Sequence, residues 1–128
     1  MANQAIINGT VTIAVDNGRD VGTIATTVTM NGENYISTIQ NITSSAYQAL
    51  NTSSLGDIHG GYFSNNDISA SVIIATDSAG TNKVVILYPL SETSWAYSGS
   101  IASVPLYAKS VNPSNGQYAA LQYMLFES

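Results

Sequence analysis

The sequence has no cysteine, so disulfide bridges and thiolate metal sites are excluded. Its 128 residues must fold on side-chain packing alone. A domain of this length buries roughly two-thirds of the surface its unfolded chain exposes, which is enough for a core without staples. Charge is also scarce. Asp, Glu, Lys and Arg make up 9% of the chain, against about 25% in an average soluble domain. Solubility therefore rests on Asn, Ser, Thr, Gln and Gly. Only three residues, Arg19, Lys83 and Lys109, stand against eight acids, for a net charge of -5. So few cations cannot neutralise a row of phosphates, which argues against nucleic acid as a partner. Anionic membrane surfaces are disfavoured for the same reason. No apolar run approaches the roughly 20 residues of a membrane-spanning helix. The opening Met1–Ile7 lacks the basic and long apolar regions of a secretory signal, which predicts synthesis in a cytoplasm.

Catalytic groups are equally sparse. The single histidine, His59, sits in the loop Gly56-Asp57-Ile58-His59-Gly60-Gly61. A Ser–His–Asp triad would have to use it, yet no Gly-x-Ser-x-Gly elbow presents a nucleophile. Local hydrogen bonding or solvent exposure explains His59 better. Asp57 and His59 are too few to hold a metal. Asp16-Asn17-Gly18-Arg19-Asp20 has the alternating oxygens of a calcium loop but lacks a later bidentate Glu, so a hairpin turn accounts for it. The acids are scattered, mostly in turn-like segments, and no phosphate-binding glycine loop with lysine occurs. These observations predict a protein that is not an enzyme and has no cofactor or metal.

What the sequence does contain is a period of two. Val11, Ile13 and Val15 fall on one face of Thr10–Val15, and Ile24, Thr26, Val28 and Met30 repeat the pattern. β-branched residues in alternation suit half-buried strands. Asn31-Gly32 is the preferred pair for a two-residue hairpin turn, which predicts that Thr23–Met30 pairs with Asn34–Ile42. Ala46–Leu50 fits either a short strand or one helical turn. Tyr62-Phe63 begins a strand that ends at Asn65-Asn66-Asp67. Ser69–Thr76 and Lys83–Leu90 contain apolar runs expected to be buried on both faces, joined as a second hairpin across Asp77–Asn82. Pro89 marks a strand end or an edge. Glu92–Ser98, Ser103–Lys109 and Gln117–Phe126 complete the set, with a last turn at Pro113-Ser114-Asn115-Gly116. Turns spaced this closely predict one all-β domain over 1–128, an antiparallel sandwich or jelly-roll-like barrel of about eight to ten strands.

The aromatics are eight Tyr, two Phe and one Trp. Trp95 and Tyr97 alternate onto one face of a strand, with Tyr107 downstream. On the last strand Tyr118, Gln122, Met124 and Phe126 share a face opposite Leu121, Tyr123 and Leu125. Tyr and Trp bury much area while keeping a polar handle, which suits either a core or an interface. A strand apolar on both faces lies centrally in a sandwich or meets another subunit.

Leu55-Gly56-Asp57-Ile58, then Gly61-Tyr62-Phe63 and Asn65-Asn66-Asp67, resembles a pattern in small structural proteins of tailed bacteriophages. Leu87-Tyr88-Pro89-Leu90 is similar to that family's leucine-x-proline step. Leu106-Tyr107-Ala108-Lys109 and Leu121-Gln122-Tyr123 are similar to its closing strands. The resemblance spans Leu55 to Glu127. It departs at Pro89-Leu90-Ser91, where the family often has Pro-Gly, and this puts the turn geometry there in question. The resemblance implies a virion protein without enzymatic activity: a capsid decoration or cement protein on the capsid exterior, made in the host cytoplasm. Its implied partners are the major capsid protein and its own copies, with a homotrimer favoured. The expected interface comprises Ile6, Ile7, Trp95, Tyr97, Tyr107, Tyr118, Met124 and Phe126, with residues 1–7 as an N-terminal arm. The alternative is a tail or fibre module binding host carbohydrate, with Trp95, Tyr97 and Tyr107 stacking on sugar rings.

Overall fold

The computed structural model of the chain describes residues 3–15, 18–30, 34–52, 55–56, 58–101 and 105–127. They form ten strands: β1 (Asn3–Val15), β2 (Gly18–Met30), β3 (Tyr35–Thr43), β4 (Gln48–Ala49), β5 (Ile58–Asn65), β6 (Ser71–Ala75), β7 (Lys83–Leu87), β8 (Glu92–Ile101), β9 (Tyr107–Val111) and β10 (Tyr118–Glu127). β1 and β2 make a two-stranded sheet of their own, and the other eight form two four-stranded sheets, ordered β3-β10-β5-β8 and β4-β9-β6-β7.

These orders have a simple origin. β6 and β7 pair as a hairpin. Moving outward along the chain on both sides, β5 pairs with β8, β4 with β9 and β3 with β10, all antiparallel. The chain is a long double strand folded at the β6–β7 turn and rolled up, so successive pairs land alternately in the two sheets. This is the jelly roll, an eight-strand solution of two Greek keys.

Alternation places the core between the sheets. Ala119, Leu121, Tyr123 and Leu125 of β10 are fully buried, while Tyr118 and Met124 on the other face are exposed. Facing them across the core are Val72 and Ile74 of β6, Leu87 of β7 and Ala108 of β9, with Phe63 of β5 and Ile42 of β3 alongside. Each fully buried side chain of this size contributes about 1.5–3 kcal/mol. Tyr123 is the largest of them. Its hydroxyl donates to Gln40 Oε1 at 2.8 Å and accepts from the Asn51 amide at 2.9 Å, so the polar tip is satisfied where the ring is buried. Burial pushes the Tyr123 phenol upward, partly offset by the Asn51 bond. Across β5, a Cβ at Gly61 would collide with the Met124 carbonyl oxygen and with Leu125 Cδ2, so this strand approaches β10 as only glycine can.

Several expectations from the sequence need correction. β2 pairs with β1 over thirteen residues, with Val15 opposite Gly18, and β3 pairs with β10 instead of β2. β2 and β3 are therefore not hairpin partners, and the turn residues expected at Asp16-Asn17 and Asn31-Gly32 lie outside the described ones. Turn chemistry is local, and it was outweighed by the match of β3 to a strand about 80 residues away. β7 is not buried on both faces. It is an edge strand, and Val84 and Ile86 stand 36% and 49% exposed. Ala46–Leu50 supplies only the two-residue β4, held where the Gln48 side chain accepts from Thr43 N and donates to the Asn41 carbonyl. The strand expected at Ser103–Lys109 runs instead from Tyr107 to Val111, beyond Pro105, which has no amide hydrogen for a ladder. The expected arm 1–7 is continuous with β1 from Asn3 onward.

Gly61→Ala is expected to lower unfolding stability by about 2–3 kcal/mol through overpacking, with an unchanged denaturant m-value. A midpoint shift worth under about 0.5 kcal/mol in urea would mean that β5 and β10 do not approach this closely.

Candidate interaction surfaces

Two exposed apolar regions stand out, and each is built on an ordered element. The first is the outer face of the β3-β10-β5-β8 sheet. The register sets Ile39 beside Gln122 and Ser64, and Ser37 beside Met124 and Tyr62. Tyr35 and Ile39 are 68% and 61% exposed, and Met124 and Tyr118 are exposed as well. Tyr62 is half-buried and donates its hydroxyl to Glu92 Oε2 at 2.5 Å. That hydrogen bond raises the Tyr62 pKa, because the neutral phenol donates best to the carboxylate.

The second region is one end of the sandwich, where three connections meet: residues 66–70, 88–91 and 112–117. Two buried polar side chains tie them together. Asn65 donates its Nδ2 to the carbonyls of Ala70 (2.7 Å) and Tyr88 (3.0 Å), and its Oδ1 accepts from the Asp67 amide. Asp67 accepts from the amides of Ser69 and Ala70, both at 2.8 Å, and from the Ser114 hydroxyl at 2.9 Å. Burial works to raise the Asp67 pKa. The hydrogen bonds from Ser69, Ala70 and Ser114 outweigh it and hold the carboxyl at about 2, against an ordinary 3.8. The Leu90 amide donates to the Asp67 carbonyl at 3.1 Å, and the Ser69 hydroxyl to the Asn112 carbonyl at 3.0 Å.

On this braced frame sit Ile68, Tyr88 and Leu90, at 72%, 68% and 66% exposure. Leu90 adopts a φ of 56°, in the left-handed region that costs a non-glycine residue about 1 kcal/mol. Leu90 follows Pro89 in the connection after β7 and takes a glycine-type conformation there. An exposed, strained, bulky apolar side chain on a pinned loop is not explained by packing.

The residues expected at an interface are divided among several places. Tyr118 and Met124 lie together on the outer sheet face. Phe126, expected with them, is buried at 7% exposure although it follows the same alternation. Its cross-strand neighbours are Tyr35 and Gly60, and a glycine partner leaves room on the sheet surface for an aromatic ring. Tyr107 is half-buried on β9, in the other sheet. Ile6 lies on β1 and is 63% exposed. Ile7 is on β1, and Trp95 and Tyr97 are on β8; their side chains lie outside the described ones, as does that of His59. Asp57 also lies outside the described residues. Sequence reading missed Tyr35, Ile39, Ile68 and Leu90. The available signal was an apolar residue inside turn chemistry, as in Asn66-Asp67-Ile68 and Pro89-Leu90-Ser91.

Elsewhere, an open groove of 480 Å³ is lined by Ser44, Lys109, Ser110, Val111, Asn112, Pro113 and Gly116. The Lys109 ammonium lies 6.0 Å from the centre of the Tyr47 ring. Among the described residues, no three His, Cys, Asp or Glu side chains gather as a metal site.

No family model, no curated protein and no solved structure matches the chain.

Asp67→Ala is expected to destabilise the fold by about 2–4 kcal/mol, because it strands buried amide donors. A carboxylate with a depressed pKa stabilises fully above its unfolded value near 4 and loses that contribution as pH falls through 2. Wild-type stability should therefore drop between pH 4 and 2, and the Asp67→Ala profile should be flatter there. Parallel profiles for the two proteins would remove Asp67 from this role.

Proposed function

We propose that the chain is a structural protein that braces a larger protein shell, as a capsid decoration or cement protein does, and that it catalyses no reaction. The observation that carries this reading is the braced end of the sandwich, where Ile68, Tyr88 and Leu90 are held out to solvent by buried Asn65 and Asp67. Ordering the loops before binding lowers the entropy lost on docking. Burial of the three side chains against a partner then contributes at about 25 cal/mol per Å² of apolar area. The low charge of the chain suits such a contact, since few ions have to be stripped of water. The resemblance over Leu55–Glu127 favours a phage capsid as the shell.

The test combines shells lacking the protein with purified chain. The expected result is co-sedimentation and a higher disruption temperature. Ile68→Asp should abolish both while leaving the melting temperature of the chain unchanged. Leu90→Gly separates the two roles of that residue: it relieves left-handed strain and should raise stability by roughly 0.5–1 kcal/mol, yet weaken shell binding. Wild-type chain that neither binds shells nor raises their disruption temperature overturns the reading.

One observation favours a second reading, a tail or fibre module that recognises carbohydrate. The groove beside Lys109 offers an ammonium, hydroxyls and the nearby Tyr47 ring, a set that suits an acidic sugar. Selective retention on a glycan array, lost in Lys109→Ala, would support it over shell binding.

A further inference from the structure

β1 and β2 are thirteen residues each and pair along their whole length. Among the described residues they pair only with each other, and neither runs along a strand of the sandwich. A lone two-stranded hairpin is at best marginally stable in water, and it needs a further surface to hold it. The register supplies one. Strand alternation puts Ile7, Val11, Ile13 and Val15 of β1 on the same face as Ile24, Val28 and Met30 of β2, with Thr26 opposite Ile7 and Asp20 opposite Ile13 near the closed end of the hairpin. The opposite face holds Thr10, Thr12, Thr23, Thr27, Thr29 and Arg19, together with Val21 and the exposed Ile6. The hairpin is thus a long amphipathic ribbon.

The same chain carries a matching surface. The outer face of β3-β10-β5-β8 presents Tyr35, Ile39 and Met124, which remain 68%, 61% and 46% exposed with the hairpin of their own chain present. We infer that the apolar face of the β1–β2 hairpin docks on this sheet face of a second copy, each chain giving one hairpin and receiving one.

Area favours this occupant. At about 3.3 Å per residue the ribbon is roughly 40 Å long and about 10 Å wide, so one face offers about 400 Å². A single one-way docking buries about 800 Å² in total, the size of a chance crystal contact. Reciprocal exchange buries about 1,600 Å², the usual size of a stable interface. Charge bears on it at one point only: of the two charged residues of β1 and β2, Arg19 lies on the opposite face and Asp20 on the docking face at the closed end of the hairpin, and the four receiving strands hold only Glu92 and Glu127 as carboxylates. Glu92 is already engaged by Tyr62. Closed exchange of identical elements is a low-cost route to a symmetric oligomer. This inference concerns contacts between copies and does not rest on the shell-bracing role.

The absence of cysteine makes the test clean. Two single variants, Val11→Cys and Ile39→Cys, are mixed and oxidised. The expected product is a disulfide-linked mixed dimer, identified by mass, with little from either variant alone. Light scattering of the wild-type chain should give a mass of two or more chains at tens of micromolar. The double variant Ile24→Asp/Val28→Asp should be monomeric, with the sandwich still melting cooperatively by near-ultraviolet circular dichroism. A wild-type monomer at about 100 μM overturns the inference. So does a Val11→Cys/Ile39→Cys chain that closes its disulfide only within itself. Mixed dimers that fail to bind shells would leave this inference standing and overturn the proposed function.

Discussion

Strand β10 has to satisfy two neighbours at once. It hydrogen-bonds to β3 on one side and β5 on the other, and its inward side chains from Ala119 to Leu125 are fully buried. Its β3 partner comes from the far end of the rolled chain: the Tyr123 hydroxyl meets Gln40, 83 residues earlier. Such a pairing closes the largest loop in the sandwich, and its entropy cost must be met by contacts that form together. The alternating Leu-Gln-Tyr-Met-Leu of β10 meets it by filling the core with every second residue. The exposed sheet face and the position of the loop end both follow from this one placement.

A chain with so little charge secures its loops by other means. Asn65 and Asp67 serve three connections through bonds to main-chain groups and to the Ser114 hydroxyl, and Asp77 holds the β6–β7 turn by accepting from the amides of Ala79, Thr81 and Asn82. The bonds from Thr81 and Asn82 keep the Asp77 carboxyl below its ordinary pKa. Backbone donors that would otherwise be stranded at the sheet ends thus find side-chain acceptors. Rigidity at the loop end is therefore electrostatic and local, while the body of the sandwich is held by apolar packing.

The large exposed apolar side chains are not scattered evenly. Among the described residues most stand at the braced loop end and on one sheet face, with Val84 and Ile86 on the edge strand β7. A monomer gains nothing from Leu90 in a left-handed conformation or from Tyr35 and Ile39 in water. The proposed shell contact and the inferred exchange between copies use different surfaces of the same frame.

The sequence by itself determined that the chain is all-β, where most strands lie, and that Leu121, Tyr123 and Leu125 of β10 share one face opposite Gln122 and Met124. A period of two is a local property, readable from neighbouring residues. It also disclosed the β6–β7 hairpin, because that pairing spans a short polar turn. Only the tertiary structure decided that β3 belongs beside β10, that Phe126 is covered while Met124 is open, and that Ile68 and Leu90 stand exposed on one braced end. Those outcomes depend on partners dozens of residues away. Alternation says that a side chain has a face, but not what lies against it.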